Sequence, residues 1–193
     1  ASTMQDKEAR RKMLSFAVVG GGPTGVELVA EMADLFFETF RKYYKGEICK
    51  EDITLYLVHK GNDLLPMFDH ALRKNSFDVL VKKGVKVLLG KEVKEIDTDG
   101  IIFADNTCIQ VANIVWTAGV RPNDMKFEQE IKRDERNRIV VDKYGRMQGR
   151  EEVFVLGDTA SFAGGDGKPL PMLAQVATRQ GIHAGKNIFA HIY

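Results

Sequence analysis

Apolar positions along the chain follow two rhythms. Phe16-Ala17-Val18-Val19 is an unbroken apolar run that ends in glycines, the signature of a parallel strand buried on both faces. From about Thr24 to Tyr44 the apolar residues fall at Val26, Val29, Ala33, Phe36, Phe37, Phe40 and Tyr44. That is helical spacing, and Gly46 is placed to close the helix. Ile53 to Val58 is rich in β-formers and reads as a second parallel strand, completing a βαβ unit. A second helix is expected from about Asp69 to Lys83, after Pro66 and stopped by Gly84, and a third strand from Val85 to Leu89. Val93–Ile96, Ile101–Phe103 and Thr107–Val111 read as a small antiparallel meander with turns at Asp99-Gly100 and Asp105-Asn106. Asn113–Trp116 is a strand that runs into Thr117-Ala118-Gly119.

Beyond this point the pattern is sparser. Asn123 to Arg138 is charged and reads as a surface connection. Ile139–Val141 and Val153–Leu156 read as short strands, the first followed by a Tyr144-Gly145 turn and the second ending at Gly157-Asp158. Gly164-Gly165-Asp166-Gly167 reads as a loop tip, and Pro171 is expected to open a last helix toward Tyr193. The fold class expected is α/β: a Rossmann-like nucleotide-binding fold, a parallel sheet with helices and a small meander, over 1–122. Residues 123–193 form a second part, and a charged helical lead-in carries Asp6, Glu8, Arg10, Arg11 and Lys12.

Composition removes several function classes. The 193 residues are 44% hydrophobic and 28% charged, with a formal net charge of +1. No single-sign field argues for a nucleic-acid partner. Cys49 and Cys108 stand far apart with no CxxC, which points to a reducing, cytoplasmic setting and to small semi-buried hydrophobes. His70, His183 and His191 are isolated and read as surface or packing residues, with no metal-ligand spacing. No run reaches the about 18 apolar residues of a membrane span, and the lead-in lacks the apolar core of a signal peptide. Residue 1 is Ala, not Met, which hints at a cut fragment.

The chemistry concentrates at Gly20-Gly21-Gly22-Pro23-Thr24-Gly25, a GxGxxG turn with a strand before and a helix after. The first glycine permits the tight turn, the second lets a pyrophosphate approach the backbone, and the third lets helix and strand pack closely. The helix start offers free N–H groups and a positive dipole end to the phosphates. The residue that reads the ribose closes the second strand, where NAD-specific sites carry Asp or Glu. Here that position is His59, followed by Lys60. A basic pair tolerates or favours the 2′-phosphate of NADP, unless both residues simply sit at a solvated loop mouth. NAD(H) and NADP(H) therefore both stay open.

The run FAVVGGGPTGVELVAE at 16–31 resembles the pyridine-nucleotide motif of type II NADH dehydrogenases, the single-subunit, non-pumping NADH:quinone oxidoreductases. So do NDLLP at 62–66, VWTAGVRPN at 115–123, VFVLGD at 153–158 and LAQVATRQG at 173–181, the last with the family's A-Q-x-x-x-x-Q pattern. The resemblance covers about 10–190. It implies that Gly20, Gly21, Gly22, Pro23, Thr24 and Gly25 bind the nucleotide phosphates and that Glu27 approaches the nicotinamide. Ala118 and Gly119 line the nicotinamide edge. Gly157 and Asp158 bind the FAD ribitol or pyrophosphate, Ala174 and Gln175 sit by the isoalloxazine, and Gln175 and Gln180 lie near the quinone headgroup. Each has a plainer alternative: Glu27 as a first-turn carboxylate, Asp158 as a turn residue, the glutamines as solvated helix positions, and Trp116 and the aromatics of the first long helix as core.

Two departures from the family stand out. One is His59, where an acidic residue is usual. The other is that no second glycine turn, the one for FAD, precedes residue 16, and that no membrane-binding region follows the Gln180 helix. The chain then reads as the central portion of a longer enzyme: a complete nucleotide domain plus the returning part of an FAD-binding domain. Tight FAD binding is not expected of it, and a homodimer would cover the incomplete region. The parent reaction implied is hydride transfer from nicotinamide to flavin and then reduction of a quinone at the cytoplasmic face of a membrane. Another reductase of the same superfamily (a ferredoxin or disulfide reductase, or an NADH oxidase) and a nucleotide-binding module inactive by itself are the competing readings.

Overall fold

The computed structural model describes residues 6–44, 48–165 and 167–192, and the chain divides into two compact units, 1–119 and 120–193. Gly46, Asp166 and Tyr193, each given a place above, lie outside the described residues, and the His191 side chain is not described.

The first unit opens with α1 (Lys7–Met13), whose start is fixed by Asp6: its carboxylate accepts from the Glu8 and Ala9 N–H groups at 2.9 and 3.2 Å. Strands β1 (Ser15–Val19), β2 (Thr54–Val58), β3 (Lys86–Leu88) and β7 (Asn113–Trp116) form one parallel sheet in the order β3-β2-β1-β7. The pleat explains why these strands are apolar throughout. Val18, Leu55 and Leu57 point to one face and pack on Val29 and Ala33 of α2 (Pro23–Asp34), on Leu80 of α4 (His70–Lys83) and on Phe37 and Leu64. Ala17, Val19 and Val58 point to the other face and are covered by Ile101, Phe103 and Val111. Those belong to or flank an antiparallel sheet of β4 (Val93–Ile96), β5 (Gly100–Phe103) and β6 (Cys108–Gln110), as the periodicity predicts. Full burial of each large side chain contributes about 1.5–3 kcal/mol, so both faces are strongly specified.

The connection from β1 runs outward through β2 to β3, and β7 then adds on the opposite side of β1. That reversal opens a crevice at the carboxyl ends of β1 and β7, where ligands bind in open α/β sheets.

The long helix differs from the single regular helix expected. After Asp34 it widens into a π-helix over Leu35–Phe40 and ends in the short α3 (Arg41–Tyr43). The π turn sends Phe37 into the core and leaves Phe36 and Phe40 in rank with Phe16 and Tyr44, with successive ring centroids 4.6, 5.6 and 6.1 Å apart. Aromatic pairing of this kind offsets the poorer hydrogen bonding of a π turn. These rings line a separate cavity of about 220 Å³ together with Leu14, Ile53 and Lys50. The second long helix is as expected: Asp69 accepts from the Leu72 N–H at 3.0 Å, and Gly84 ends it with φ +96°.

The second unit holds β8 (Ile139–Val140), β9 (Arg146–Met147), β10 (Arg150–Phe154), β11 (Ala160–Ser161) and α5 (Ala174–Ile192). Three expectations need correction here. The strand placed at Val153–Leu156 occupies Arg150–Phe154 and pairs antiparallel with β9 through a Gln148-Gly149 turn, where Gly149 has φ +87°. Pro171 does not open the last helix. Leu170 N–H donates to the Phe162 carbonyl at 2.8 Å and keeps the chain extended, so α5 begins three residues later, with Leu173 accepting its first bond from Ala177 at 3.0 Å. The stretch Asn123–Arg138 has no helix, yet Arg138 is buried. Its guanidinium binds the Asp134 carboxylate at 2.8 Å and the Leu170 carbonyl at 2.9 Å. Asp142 and Arg146 repeat the same four-residue turn. Cys49 and Cys108 are both exposed rather than semi-buried, and no residue among those described belongs to a cluster able to hold a metal.

Candidate functional site

The glycine turn sits at the sheet's carboxyl edge, and backbone geometry fixes it from several sides. Gly20 N–H donates to the Val58 carbonyl at 2.8 Å, and Leu65 N–H donates to the Gly21 carbonyl at 2.8 Å. On the β7 side, Thr117 donates twice to the Val19 carbonyl, from its N–H at 2.8 Å and its hydroxyl at 2.9 Å. The three glycines of the motif have three separate reasons. Gly20 has φ +129°, and a Cβ there would stand 2.6 Å from the Thr117 hydroxyl. A Cβ on Gly25 would collide with the Gly20 carbonyl oxygen, so α2 packs on β1 at backbone distance. Gly22 differs from both. Nothing lies within 4 Å of where its Cβ would be.

Gly22 is also the cap position of α2, with Pro23 in the first turn and no side chain bonded to the helix start. A Ser or Asp there would satisfy first-turn N–H groups; here they are left for another acceptor. Gly22 is also among the residues lining a cleft of about 460 Å³, formed by Gly20–Gly22, Val58–Lys60, Lys91–Val93 and Trp116–Gly119. All of these lie in the first unit. Size and position suit a dinucleotide laid across the end of the sheet.

His59 departs from a simple cationic role. Its Nδ1 accepts the Gly21 N–H at 3.1 Å, and its ring fills the space against Gly21 and Gly61, where a Cβ on either would stand 2.6 Å from Cγ and 2.8 Å from Nε2 respectively. Burial first, and the Lys60 ammonium second, push its pKa below the ordinary histidine value. Nδ1 as an acceptor means that the ring is neutral with its proton on Nε2. Lys60 is exposed at the cleft mouth. The Lys91 ammonium is engaged by Asp105 and by the Thr107 hydroxyl at 2.8 Å.

The structure brings together Gly20, Gly21, Gly22, His59, Lys60, Ala118 and Gly119. Pro23, Thr24 and Gly25 continue the turn into α2. Glu27 is exposed on that helix and is not among the cleft residues. Val19, Val58, Lys91, Glu92, Val93, Trp116 and Thr117 also line the cleft, and of these Trp116 departs furthest from expectation. Trp116 was expected in the core but is 56% exposed, its Nε1–H bonded to the Ala118 carbonyl at 2.9 Å. The signal was present in its place at the end of a strand beside the first glycine strand, where β1 pairs Val19 with Trp116.

In the second unit, Gly157 (φ +67°), Asp158 and Thr159 form a 3-10 turn. The Asp158 side chain is exposed and makes no hydrogen bond among the described residues. Gln180 is buried, and its Oε1 accepts the Gly157 N–H at 2.7 Å. Ala174 and Gln175 are exposed in the first turn of α5. The two glutamines therefore face apart, one locked to the Gly157 turn and one turned to solvent. No helix among the described residues is long and apolar enough to cross a membrane.

A parallel sheet with a glycine turn at its reversal point defines a dinucleotide-binding α/β protein. The family described as pyridine nucleotide-disulphide oxidoreductase matches residues 1–181, and the chain belongs to it. Relatives include the internal alternative NAD(P)H-ubiquinone oxidoreductase A1 of Arabidopsis thaliana mitochondria, 35% identical over 176 residues, which are 91% of this chain and 34% of that protein. The type II NADH:quinone oxidoreductase of Staphylococcus saprophyticus is 31% identical over 97% of this chain and 47% of its own length. Among solved structures, NDH2 from Plasmodium falciparum in complex with NADH superposes with a TM-score of 0.72 and 27% identity, covering 81% of this chain and 34% of that one. The chain thus spans a third to a half of the curated relatives it matches.

Proposed function

We propose that the first unit binds NAD(H) or NADP(H), and that the chain is the nucleotide-binding portion of an FAD-dependent NAD(P)H:quinone oxidoreductase. The observation that carries this is the open space at Gly22, a lining residue of the cleft, beside a helix start that no side chain caps. In the proposed complex the α2 N-terminus takes the pyrophosphate, His59 and Lys60 meet the adenine ribose, and Trp116, Ala118 and Gly119 border the nicotinamide half. Glu27, exposed one turn into α2, approaches from the helix side.

A flavin bound in the complete enzyme would supply the hydride-acceptor and electron-transfer chemistry, so no side chain of this chain is needed as a nucleophile. The second unit offers residues that fit FAD. Asp158 presents an unengaged carboxylate to ribitol hydroxyls, on a turn whose Gly157 N–H is held by Gln180. Ala174 and Gln175 present the exposed first turn of α5, whose dipole favours negative charge on a reduced ring. Gln175 is the side chain available to a quinone headgroup, and Gln180 supports the turn behind it. The site of action is the cytoplasmic face of a membrane, with a second copy covering apolar residues that α5 leaves exposed, Ile182 and Ile188.

Calorimetric titration of the protein with NADH and with NADPH tests the nucleotide assignment. Saturable one-to-one binding of at least one of them is expected. Heats of dilution alone for both would remove the assignment and everything built on it.

A further inference from the structure

His59 does more than stand where an acidic residue is usual. We propose that His59 is a proton-operated specificity residue: neutral and latched to the Gly21 amide it suits NADH, and once protonated it pairs with Lys60 to favour NADPH. This rests on the nucleotide assignment above and concerns only how the ribose end of that site discriminates.

The geometry makes the two states mutually exclusive. In the latched state Nδ1 is an acceptor for the Gly21 N–H at 3.1 Å, and the ring is wedged against the glycine turn so closely that a Cβ on Gly21 would stand 2.6 Å from its Cγ. A proton on Nδ1 turns that contact into two donors facing each other, so the ring must leave the turn. The remaining nitrogen, Nε2, carries a proton in both states. In the neutral state it is an uncharged donor, suited to a ribose hydroxyl. In the charged state the end of β2 presents two adjacent cations, His59 and Lys60, which a 2′-phosphate matches and a 2′-hydroxyl does not.

The charged groups around the ring decide the direction. The glycine turn contributes none. The loop after β2 contributes Lys60, and Asp63, which is tied to Arg73 at 2.9 Å. The segment before β4 contributes Lys91, whose N–H donates to the His59 carbonyl at 2.9 Å and whose ammonium is held by Asp105, and Glu92, which lines the cleft. Burial, and after it Lys60, oppose the charged form in the free protein, so the change falls below the ordinary histidine range. An arriving 2′-phosphate reverses that balance and draws the proton in. The pyrophosphate is common to both nucleotides, so its attraction to a charged His59 cancels in the ratio of their affinities.

The test is the ratio Kd(NADH)/Kd(NADPH), measured by calorimetry from pH 8 to pH 5.5 on the wild type and on His59→Gln. Glutamine keeps an acceptor for the Gly21 N–H and cannot gain charge. The 2′-phosphate titrates in this range itself, but equally for both proteins, so the difference between the two profiles isolates His59. The wild-type ratio is expected to rise by roughly fivefold relative to the variant as pH falls, the factor that one solvent-facing ion pair supplies. Superimposable profiles would overturn the proposal while leaving nucleotide binding intact, whereas no binding of either nucleotide at any pH would end both. If the variant does not fold, nitrogen NMR of the wild-type ring decides: the Nε2–H tautomer at pH 8 is expected, and the Nδ1–H tautomer overturns the latch.

Discussion

Gly22→Ala separates ligand binding from folding more sharply than any other change in the glycine turn. The position has φ −81° and ψ −177°, a conformation alanine adopts without strain, and no atom lies within 4 Å of the added methyl. Removing a glycine from the unfolded chain stabilises by about 0.4–1 kcal/mol. Alanine is a poorer helix cap than glycine, which costs about as much. The two offset each other, so the melting temperature is expected to move by no more than about 2 °C, from a change within about 0.5 kcal/mol. The methyl does, however, fill the space through which a pyrophosphate reaches the backbone. Overpacking of that kind costs about 1–3 kcal/mol, or roughly 5- to 150-fold in Kd. Thermal denaturation followed by circular dichroism gives the first quantity, and calorimetry with the tighter-binding nucleotide gives the second. An unchanged Kd with an unchanged melting temperature would refute the reading of Gly22 as the phosphate approach.

Gly25→Ala should do the reverse: its methyl meets the Gly20 carbonyl and stands 2.8 Å from the Thr117 hydroxyl, so a loss of about 3 kcal/mol or more should appear in denaturant melts. A stable Gly25→Ala protein would contradict the close packing of α2 on β1. Trp116 is the only tryptophan, and reduced nicotinamide absorbs where indole emits, so NADH should quench its fluorescence by energy transfer while NAD+ quenches far less. Equal quenching by both, or none at saturation, would place the nicotinamide away from Trp116. Asp134 gives an acid limit to the second unit: burial raises its pKa, but hydrogen bonds from the Arg138 N–H, the Ser161 hydroxyl and the Arg138 guanidinium outweigh this and hold it below the ordinary value of 3.8. Its stabilisation is therefore complete above that value and lost as pH falls through the folded pKa. Asp134→Asn should cost about 3 kcal/mol at pH 7 by stranding Arg138, and should flatten the acid limb of the unfolding curve; a limb as steep as the wild type's would assign acid lability elsewhere.

The first unit was almost wholly legible because its signals are local and redundant. Uninterrupted apolar strands, the glycine turn and caps such as Asp69 and Gly84 each carry their own physics, and β2, α4 and β7 fall within a residue of their expected bounds. The failures have identifiable causes. A π turn leaves the apolar spacing of Phe36, Phe37 and Phe40 nearly unchanged, so periodicity cannot distinguish it from a regular helix. The β9–β10 hairpin is dominated by charge, with Arg146, Arg150, Glu151 and Glu152 in or beside it, and offers no alternation to read. At the site, the residue types and their order were readable, but side-chain direction was not. Nothing in the sequence says that His59 turns back onto Gly21, that Trp116 faces the cleft, or that Gln180 turns inward while Gln175 does not. Each depends on which neighbour offers an unpaired N–H or an open volume, and that exists only once the strands are assembled.

Nucleotide binding at the glycine turn is tested most directly by an amide NMR titration of the protein with NADH. The expected result is a saturable set of shifts concentrated at Gly20–Gly25, Val58–Lys60 and Trp116–Gly119, with the Gly22 and Thr24 amides moving most. Shifts centred on the aromatic cavity of Phe36, Phe40 and Lys50, or scattered over the surface without saturating, would contradict it.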